Sequence, residues 1–265
     1  MAVNRSSFYK WRKRMANPSE KMMKRKSDIK LFERYHNKYP THAYRWLNAK
    51  IRLDLGIIYS DNYASYAGIR SVSKRFRSYK STDKFKIYPN LLLADLSITR
   101  PLQVVVRDMT AFWCNDAYYE LILYMDLFNN EIIAYDLSSK KGDRMTYING
   151  LNDLIQKKKE YKNLELILHT DQGSVYSSKA FNEALPLYNI TRSMSRAGTP
   201  TDNGAMEAIN GWLKEELFID FDIKHSNNVL YSIEEYIVFF ITARPSFSLN
   251  YLTPKQFKEK FAPSF

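Results

Sequence analysis

Two apolar runs of strand length, each followed by an aspartate, set the narrowest limits on how this chain can fold. Residues 102–106 are rich in valine and lead to Asp108, and residues 164–168 lead to Asp171 shortly before a glycine. Branched apolar residues favour a strand that is buried on at least one face. A carboxylate beside such a strand is costly unless it is hydrogen-bonded or bound to a metal. The sequence therefore predicts an α/β fold with carboxylates near two strand ends.

A third carboxylate, Glu207, lies near the start of a predicted helix. Residues 200–204 form a loop with N-cap candidates, and residues 205–217 are rich in helix formers. Asn210 and Lys214 follow Glu207 at i+3 and i+7, so the three side chains share one helix face. We predict that Asn210 and Lys214 contact DNA, with the lysine meeting a phosphate.

Each acid also has an ordinary structural explanation. Asp108 can be a strand-end residue bonded to a nearby backbone N–H. Asp171 can be a turn residue before a glycine, and Glu207 can complement the helix dipole. Position alone therefore does not separate a structural role from a metal-binding one.

Three motifs follow one another between residues 108 and 207. They are Asp108-Met109-Thr110, then Thr170-Asp171-Gln172-Gly173, then Ser195-Arg196-Ala197-Gly198-Thr199-Pro200 leading to Asp202-Asn203-Gly204-Ala205-Met206-Glu207. This set resembles the integrase-core insertion-sequence transposases of the OrfB type, the bacterial relatives of retroviral integrases. The similarity extends over about residues 97–260 and includes Lys214-Glu215-Glu216-Leu217.

The resemblance implies a fold, a site and a reaction. The fold is an RNase H-like mixed five-stranded sheet flanked by helices, in which Asp108, Asp171 and Glu207 form a DDE triad. The triad would bind two Mg²⁺ ions, with Mn²⁺ as a substitute, because Mg²⁺ prefers oxygen ligands and paired ions suit an in-line displacement. The implied reaction frees a 3′-hydroxyl at the end of the mobile element, and this hydroxyl then attacks a second phosphodiester.

Charge is distributed unevenly along the chain, whose formal net charge is +12. Residues 1–90 contain 22 Lys and Arg against 6 Asp and Glu, whereas residues 91–265 contain 18 against 22. Neutralised phosphates supply most sequence-independent affinity for DNA, so the first part is predicted to hold duplex DNA. The alternative is a basic surface without a DNA partner. The predicted organisation is a basic helical DNA-binding region at 1–85, a linker at 86–98 and an integrase catalytic core at 99–265.

The basic region contains a helix-turn-helix pattern. Residues 42–55 have helical periodicity, Gly56 is a candidate C-cap, and Ser60 is a candidate N-cap for a second helix. We predict that this second helix contacts DNA. The segment after its N-cap contains the candidate contact residues Arg70, Lys74, Arg75 and Arg77.

Cysteine and histidine content argues against two other kinds of site. Cys114 is the only cysteine, and its aromatic neighbours predict a buried thiol rather than a nucleophile. Four histidines with one cysteine cannot supply the zinc module of retroviral integrases. His169, close to Asp171, is predicted either to tune the site or to be a strand residue satisfied by a local hydrogen bond.

Nothing in the sequence predicts export or a membrane-spanning helix. The predicted location is the cytoplasm, in association with the nucleoid. The resemblance implies three kinds of partner: double-stranded DNA of the element ends and target, further copies of the chain in a synaptic complex, and the product of an upstream reading frame.

The chain also departs from the family pattern. Ile241 and Ser246 stand where the family usually has asparagine and histidine, Val105 replaces a common tryptophan, and Arg107 replaces a common threonine. These changes leave the three acids in place but bear on how DNA is positioned. Two alternatives therefore stay open: an inactive relic or repressor that only binds element-end DNA, and a nuclease that cuts without joining.

Overall fold

A computed structural model of the chain describes residues 5–72, 88–93, 96–161, 164–171, 183, 185–196, 199 and 204–263, without the side chains of Ser7, Arg14, Ala205 and Glu207. The chain divides into two compact units, Met1–Val72 and Ser73–Phe265. The region boundaries predicted at residues 85 and 98 stay predictions, because residues 73–87 lie outside the described part.

Helices make up the regular structure described in the first unit. They are α1 (Arg5–Ala16), α2 (Glu20–Lys38), α3 (Tyr44–Leu55) and α4 (Asp61–Ser65). Helices α2 and α3 contact each other, and their buried residues include Phe32 and Leu47. Tyr59 and Tyr63 donate hydrogen bonds to the Asp28 carboxylate at 2.9 and 2.8 Å, which ties the chain around α4 to α2. In α1, by contrast, every described side chain is exposed.

Two predicted helix boundaries in this unit are confirmed, and one candidate DNA-contact residue lies outside the second helix. Gly56 ends α3 in the left-handed conformation with φ 70°, and the Ser60 side chain caps α4 by accepting a backbone N–H. However, α4 ends at Ser65, and Gly68 adopts φ 67°, a left-handed conformation that interrupts a helix. Arg70 therefore lies exposed in non-helical chain. The remaining candidates fall outside the described residues: Lys74, Arg75 and Arg77.

A five-stranded sheet organises the second unit. Its strands are β1 (Val104–Cys114), β2 (Ala117–Asp126), β3 (Glu131–Ser138), β4 (Leu166–Thr170) and β5 (Ile190–Met194). They lie in the order β3-β2-β1-β4-β5, with β2 antiparallel to both β1 and β3. Strand β4 runs parallel to β1, and β5 runs parallel to β4. This mixed arrangement is the RNase H-like sheet that the resemblance implied.

Helices cover both faces of the sheet: α5 (Arg144–Lys158) on one face, and α6 (Gly204–Glu215) and α7 (Val229–Thr242) on the other. A further helix, α8 (Pro254–Phe261), packs against α7. Because side chains alternate across a sheet, neighbouring residues of β1 enter different cores. Val105 packs in a core with Leu154 of α5, whereas Val106 packs in a second core with Leu213 of α6 and Ile233 of α7. Among the helices described here, none combines the length and apolar content needed to cross a membrane.

Candidate active site

Two neighbouring parallel strands carry the first two candidate acids. Val106 of β1 pairs with His169 of β4, and two residues further along, the chain reaches Asp108 in β1 and Asp171 after β4. Asp108 is partly buried, whereas Asp171 is exposed. The strand register therefore brings these two acids to the same level of the sheet.

Asp108 is contacted from helix α6. The amide Nδ2 of Asn210 donates to Asp108 Oδ2 at 2.6 Å, and the backbone N–H of Met109 donates to Asp108 Oδ1 at 2.8 Å. Burial lowers the pKa of the Lys214 ammonium, and the negative charge of Asp108 acts in the opposite direction. The structure thus brings Asp108 of β1 together with Asn210 and Lys214 of α6, two elements that are far apart in the sequence.

Glu207 lies in α6, as the sequence predicted, one turn before Asn210. Its side chain is outside the described part of the structure. Among the side chains that the structure describes, which do not include that of Glu207, no group of three or more His, Cys, Asp or Glu could hold a metal ion. The convergence of Asp108, Asp171 and Glu207 therefore stays a prediction.

The donor atoms on this face suit a hard divalent cation. Asp108 and Asp171 supply carboxylate oxygens, and the buried Oδ1 atom of Asn210 has no hydrogen-bond partner among the residues that the structure describes. Because Nδ2 of the same amide donates to a carboxylate, the amide cannot be turned over to satisfy Oδ1 there. A buried oxygen of this kind is suited to accept a donor or a cation, and Mg²⁺ prefers such oxygen ligands. The residues present therefore fit Mg²⁺ or Mn²⁺.

The histidine next to this site and the single cysteine are both buried. His169 has no exposed surface, and its two ring nitrogens are hydrogen-bonded to Ser193 on β5 and to Ser195, which directly follows β5. It is thus a hydrogen-bonded strand residue, one of the two roles predicted for it. The Sγ atom of Cys114 donates to the backbone oxygen of Ile223 at 3.3 Å, and burial raises the pKa of the thiol. The predicted buried thiol is confirmed.

Arg107, which the sequence had marked only as a departure from the family, is a core residue. It is 1% exposed, and its Cζ atom lies 4.5 Å from the ring centre of Tyr147 and 5.9 Å from that of Tyr124. Burial raises the pKa of both phenols, and the positive charge of Arg107 acts against that rise. Because Arg107 points toward α5, the presence of arginine in place of the family's threonine changes the core on the face of the sheet opposite α6.

A buried ion pair that sequence analysis missed fixes the chain directly after α6. Glu216 begins a single π-helical turn, Glu216–Asp220, and is fully buried. Arg244 donates to its carboxylate from Nε at 2.9 Å to both oxygens and from Nη2 at 2.7 Å. Tyr236 of α7 donates its hydroxyl to the same carboxylate at 3.1 Å. Burial lowers the pKa of Arg244 and is the largest single influence on it, but the charge and hydrogen bonds of Glu216, together with the nearby Tyr236 and Asp220, outweigh it and the net shift is upward.

A sequence signal for this ion pair existed. Glu216 lies three residues after Leu213 and one before Leu217, both of which are fully buried. A carboxylate in the apolar stripe of a helix requires a buried partner. The signal identifies Glu216 as paired but does not identify Arg244, which is 28 residues away.

Comparisons with known proteins agree with this architecture. Two family models, both described as integrase core domain, match residues 98–200 and 188–254. The InsK protein of insertion sequence element IS150 from Escherichia coli K12 is 30% identical over 97% of this chain and 90% of its own length. The transposase for insertion sequence element IS904 from Lactococcus lactis is 30% identical over 70% and 72%.

Among solved structures, the HTLV-2 integrase catalytic core domain in complex with magnesium aligns with 60% of this chain and 97% of that one, at 18% identity and a TM-score of 0.47. The sequence relationships, which extend over nearly the whole chain, decide the assignment. The chain belongs to the integrase-core family of insertion-sequence transposases.

Proposed function

We propose that this protein is a DNA transposase that cleaves the 3′ ends of its insertion sequence and joins them to target DNA. The observation that carries the proposal is the Asn210 contact with Asp108. It fixes α6, the helix of Glu207, against the strand of the first acid, beside the strand end of Asp171.

In this proposal, Asp108, Asp171 and Glu207 hold two divalent ions, with Mg²⁺ as the natural ion and Mn²⁺ as a substitute. When bound, such ions stabilise the attacking and leaving oxygens of an in-line phosphodiester displacement. Asn210 holds the Asp108 carboxylate in one orientation through its 2.6 Å hydrogen bond. No side chain has to act as a nucleophile, which agrees with the burial of Cys114.

DNA is the partner that the charge distribution supports. Lys214 is partly buried beside Asp108, where its ammonium can meet a phosphate next to the scissile bond. We assign further backbone contacts to the basic region, with Arg70, Lys74, Arg75 and Arg77 as candidates. Phosphate contacts of this kind give affinity without reading sequence.

Assembly and location follow from the proposed reaction. Two element ends must be held together for joining, so we propose that at least two copies of the chain act in one complex. A product of the upstream reading frame is a further candidate partner. The enzyme would act in the cytoplasm, on the DNA of the nucleoid.

A cleavage and joining assay tests the proposal. The substrate is a labelled duplex taken from the DNA that flanks the coding sequence, with Mg²⁺ or Mn²⁺. Wild-type protein should release a 3′-hydroxyl end and form branched joined product, and Asp108→Asn should abolish both. Asp153→Asn, an exposed acid on α5, is the matched control and should retain activity.

Two outcomes would contradict the proposal in different ways. Duplex binding without strand breakage under either ion would indicate a relic or repressor. Nicked product without any joined product would indicate a nuclease.

A further inference from the structure

His169 connects β4 to β5 through side-chain hydrogen bonds next to the candidate active site. In the parallel ladder, His169 pairs with Ser193. Its Nδ1 atom lies 2.8 Å from Ser193 Oγ, and its Nε2 atom lies 2.9 Å from Ser195 Oγ. All three residues are buried, with 0% exposure for His169 and Ser193 and 8% for Ser195. Such a polar group is tolerated in a core only when its hydrogen bonds are made.

The hydrogen bonds of Ser193 determine which imidazole nitrogen carries the proton. The backbone N–H of Leu91 donates to Ser193 Oγ at 2.9 Å, so the hydroxyl accepts there and still has its own proton to donate. In the part of the chain that the structure describes, the acceptor within reach of that proton is His169 Nδ1. A neutral imidazole has one donor and one acceptor nitrogen. Nε2 therefore carries the proton and donates it to Ser195 Oγ.

The resulting chain of donors runs in one direction, from Leu91 through Ser193 and His169 to Ser195. Its last two members, His169 and Ser195, both lie close to the candidate acids in the sheet. His169 is two residues before Asp171, and it pairs with Val106, two residues before Asp108. Ser195 directly follows β5, and its backbone N–H donates to the carbonyl oxygen of residue 170 at 3.0 Å. The imidazole thus joins the strand end before Asp171 to the residue that directly follows β5.

We propose that His169 is a positioning residue for the proposed reaction: in its neutral form with the proton on Nε2, it fixes the strand end that presents Asp171 to the divalent ions. This inference rests on the proposed transposase function. Outer partners that orient metal ligands typically change metal affinity about 10–100-fold when they are removed. Removing a buried residue whose role is purely structural would instead lower stability and leave the metal affinity unchanged.

The first test compares variants of the serine that accepts from His169. Ser195→Ala removes the acceptor, and Ser195→Thr keeps a hydroxyl. Ser232→Ala is the matched control, because Ser232 is also a buried, hydrogen-bonded serine but lies in α7. In the cleavage assay, Ser195→Ala should require about tenfold or more Mn²⁺ for half-maximal rate, at unchanged duplex affinity. In Ser195→Thr, the Mn²⁺ concentration for half-maximal rate should return close to the wild-type value, and in Ser232→Ala it should equal the wild-type value.

The second test needs no activity, and its readout comes from the wild-type protein. Nitrogen-15 NMR of histidine-labelled wild-type protein, with His169→Gln used only to assign the signal, should show a protonated Nε2 and an unprotonated Nδ1. A proton resident on Nδ1 would overturn the assignment.

The two proposals fail in distinguishable ways. If the wild-type protein cleaves DNA and Ser195→Ala keeps the wild-type Mn²⁺ requirement, the role of His169 is refuted and the transposase function stands. If the wild-type protein cleaves under neither ion, the transposase function is refuted, and with it the positioning role, whatever tautomer NMR finds.

Discussion

Replacing Arg244 with methionine tests how the end of α6 is held. Methionine fills part of the same volume but has no charge and no N–H donor. Three hydrogen bonds to Glu216, at 2.7 to 2.9 Å, are lost. The carboxylate of Glu216 has 0% exposure, so water cannot replace the lost donors. Among the described side chains, the hydroxyl of Tyr236 then remains as a hydrogen-bond donor to the Glu216 carboxylate.

The expected effect is large, because one buried charge is left without its partner. Removing one member of a buried ion pair costs about 3–5 kcal/mol. In a unit of this size, each kcal/mol lowers the melting temperature by about 2–4 °C, which gives a decrease of about 6–20 °C. Replacing the whole cluster by Glu216→Leu, Tyr236→Phe and Arg244→Met should return stability to within about 2 kcal/mol of wild type, since apolar replacements of complete buried pairs are often neutral.

Calorimetry and chemical denaturation of the full chain, read on the transition of the second unit, measure both variants. A loss below about 1 kcal/mol for Arg244→Met would refute the reasoning, because that is the range of an exposed pair. A cluster replacement as unstable as the single variant would also contradict it, since the cost would then come from packing and not from the uncompensated charge.

Three further predictions concern other parts of the second unit. Burial raises the pKa of Asp126 to about 6, against two backbone hydrogen bonds that lower it. Its contribution to the free energy of unfolding is therefore fully present below about pH 3.9 and is lost as pH rises through about 6. Denaturation titrations should show this loss as a decline of about 2–3 kcal/mol, and the Asp126→Asn variant should not show it. Lys214→Ala should reduce duplex affinity for all sequences and lower the slope of log affinity against log salt by about 1, whereas Lys214→Arg should keep the slope; an unchanged slope in the alanine variant would exclude a phosphate contact. Gly150→Ala should destabilise the protein by about 1–3 kcal/mol, because the added Cβ would lie 2.7 Å from the Tyr124 ring. Gly211→Ala, whose Cβ meets open space, should instead stabilise α6 by up to about 1 kcal/mol, and equal effects of the two variants in thermal melts would refute this contrast.

The elements with local sequence signals were predicted close to their observed bounds. The helix predicted over residues 42–55 is found at Tyr44–Leu55, and the helix predicted over residues 205–217 is found at Gly204–Glu215. Hydrophobic alternation and helix caps determine such elements within a few residues of sequence. The order of the strands in the sheet came from the resemblance and not from periodicity.

Features that depend on distant partners were not predicted. Glu216 and Arg244 are separated by 28 residues, and His169 and Ser195 by 26. A sequence pattern can show that a buried polar side chain needs a partner, but it cannot identify the partner until the fold brings the two together. Arg70 lies outside helix α4, because the helix ends at Ser65 and Gly68 then adopts a positive φ, which a glycine allows but does not require.

Anomalous diffraction from crystals of the protein with its element-end duplex and Mn²⁺ tests the central claim most directly. The account predicts two Mn²⁺ peaks about 4 Å apart, bound by carboxylate oxygens of Asp108, Asp171 and Glu207. An active complex in which the Glu207 carboxylate points away from Asp108, or in which Mn²⁺ binds elsewhere, would contradict it.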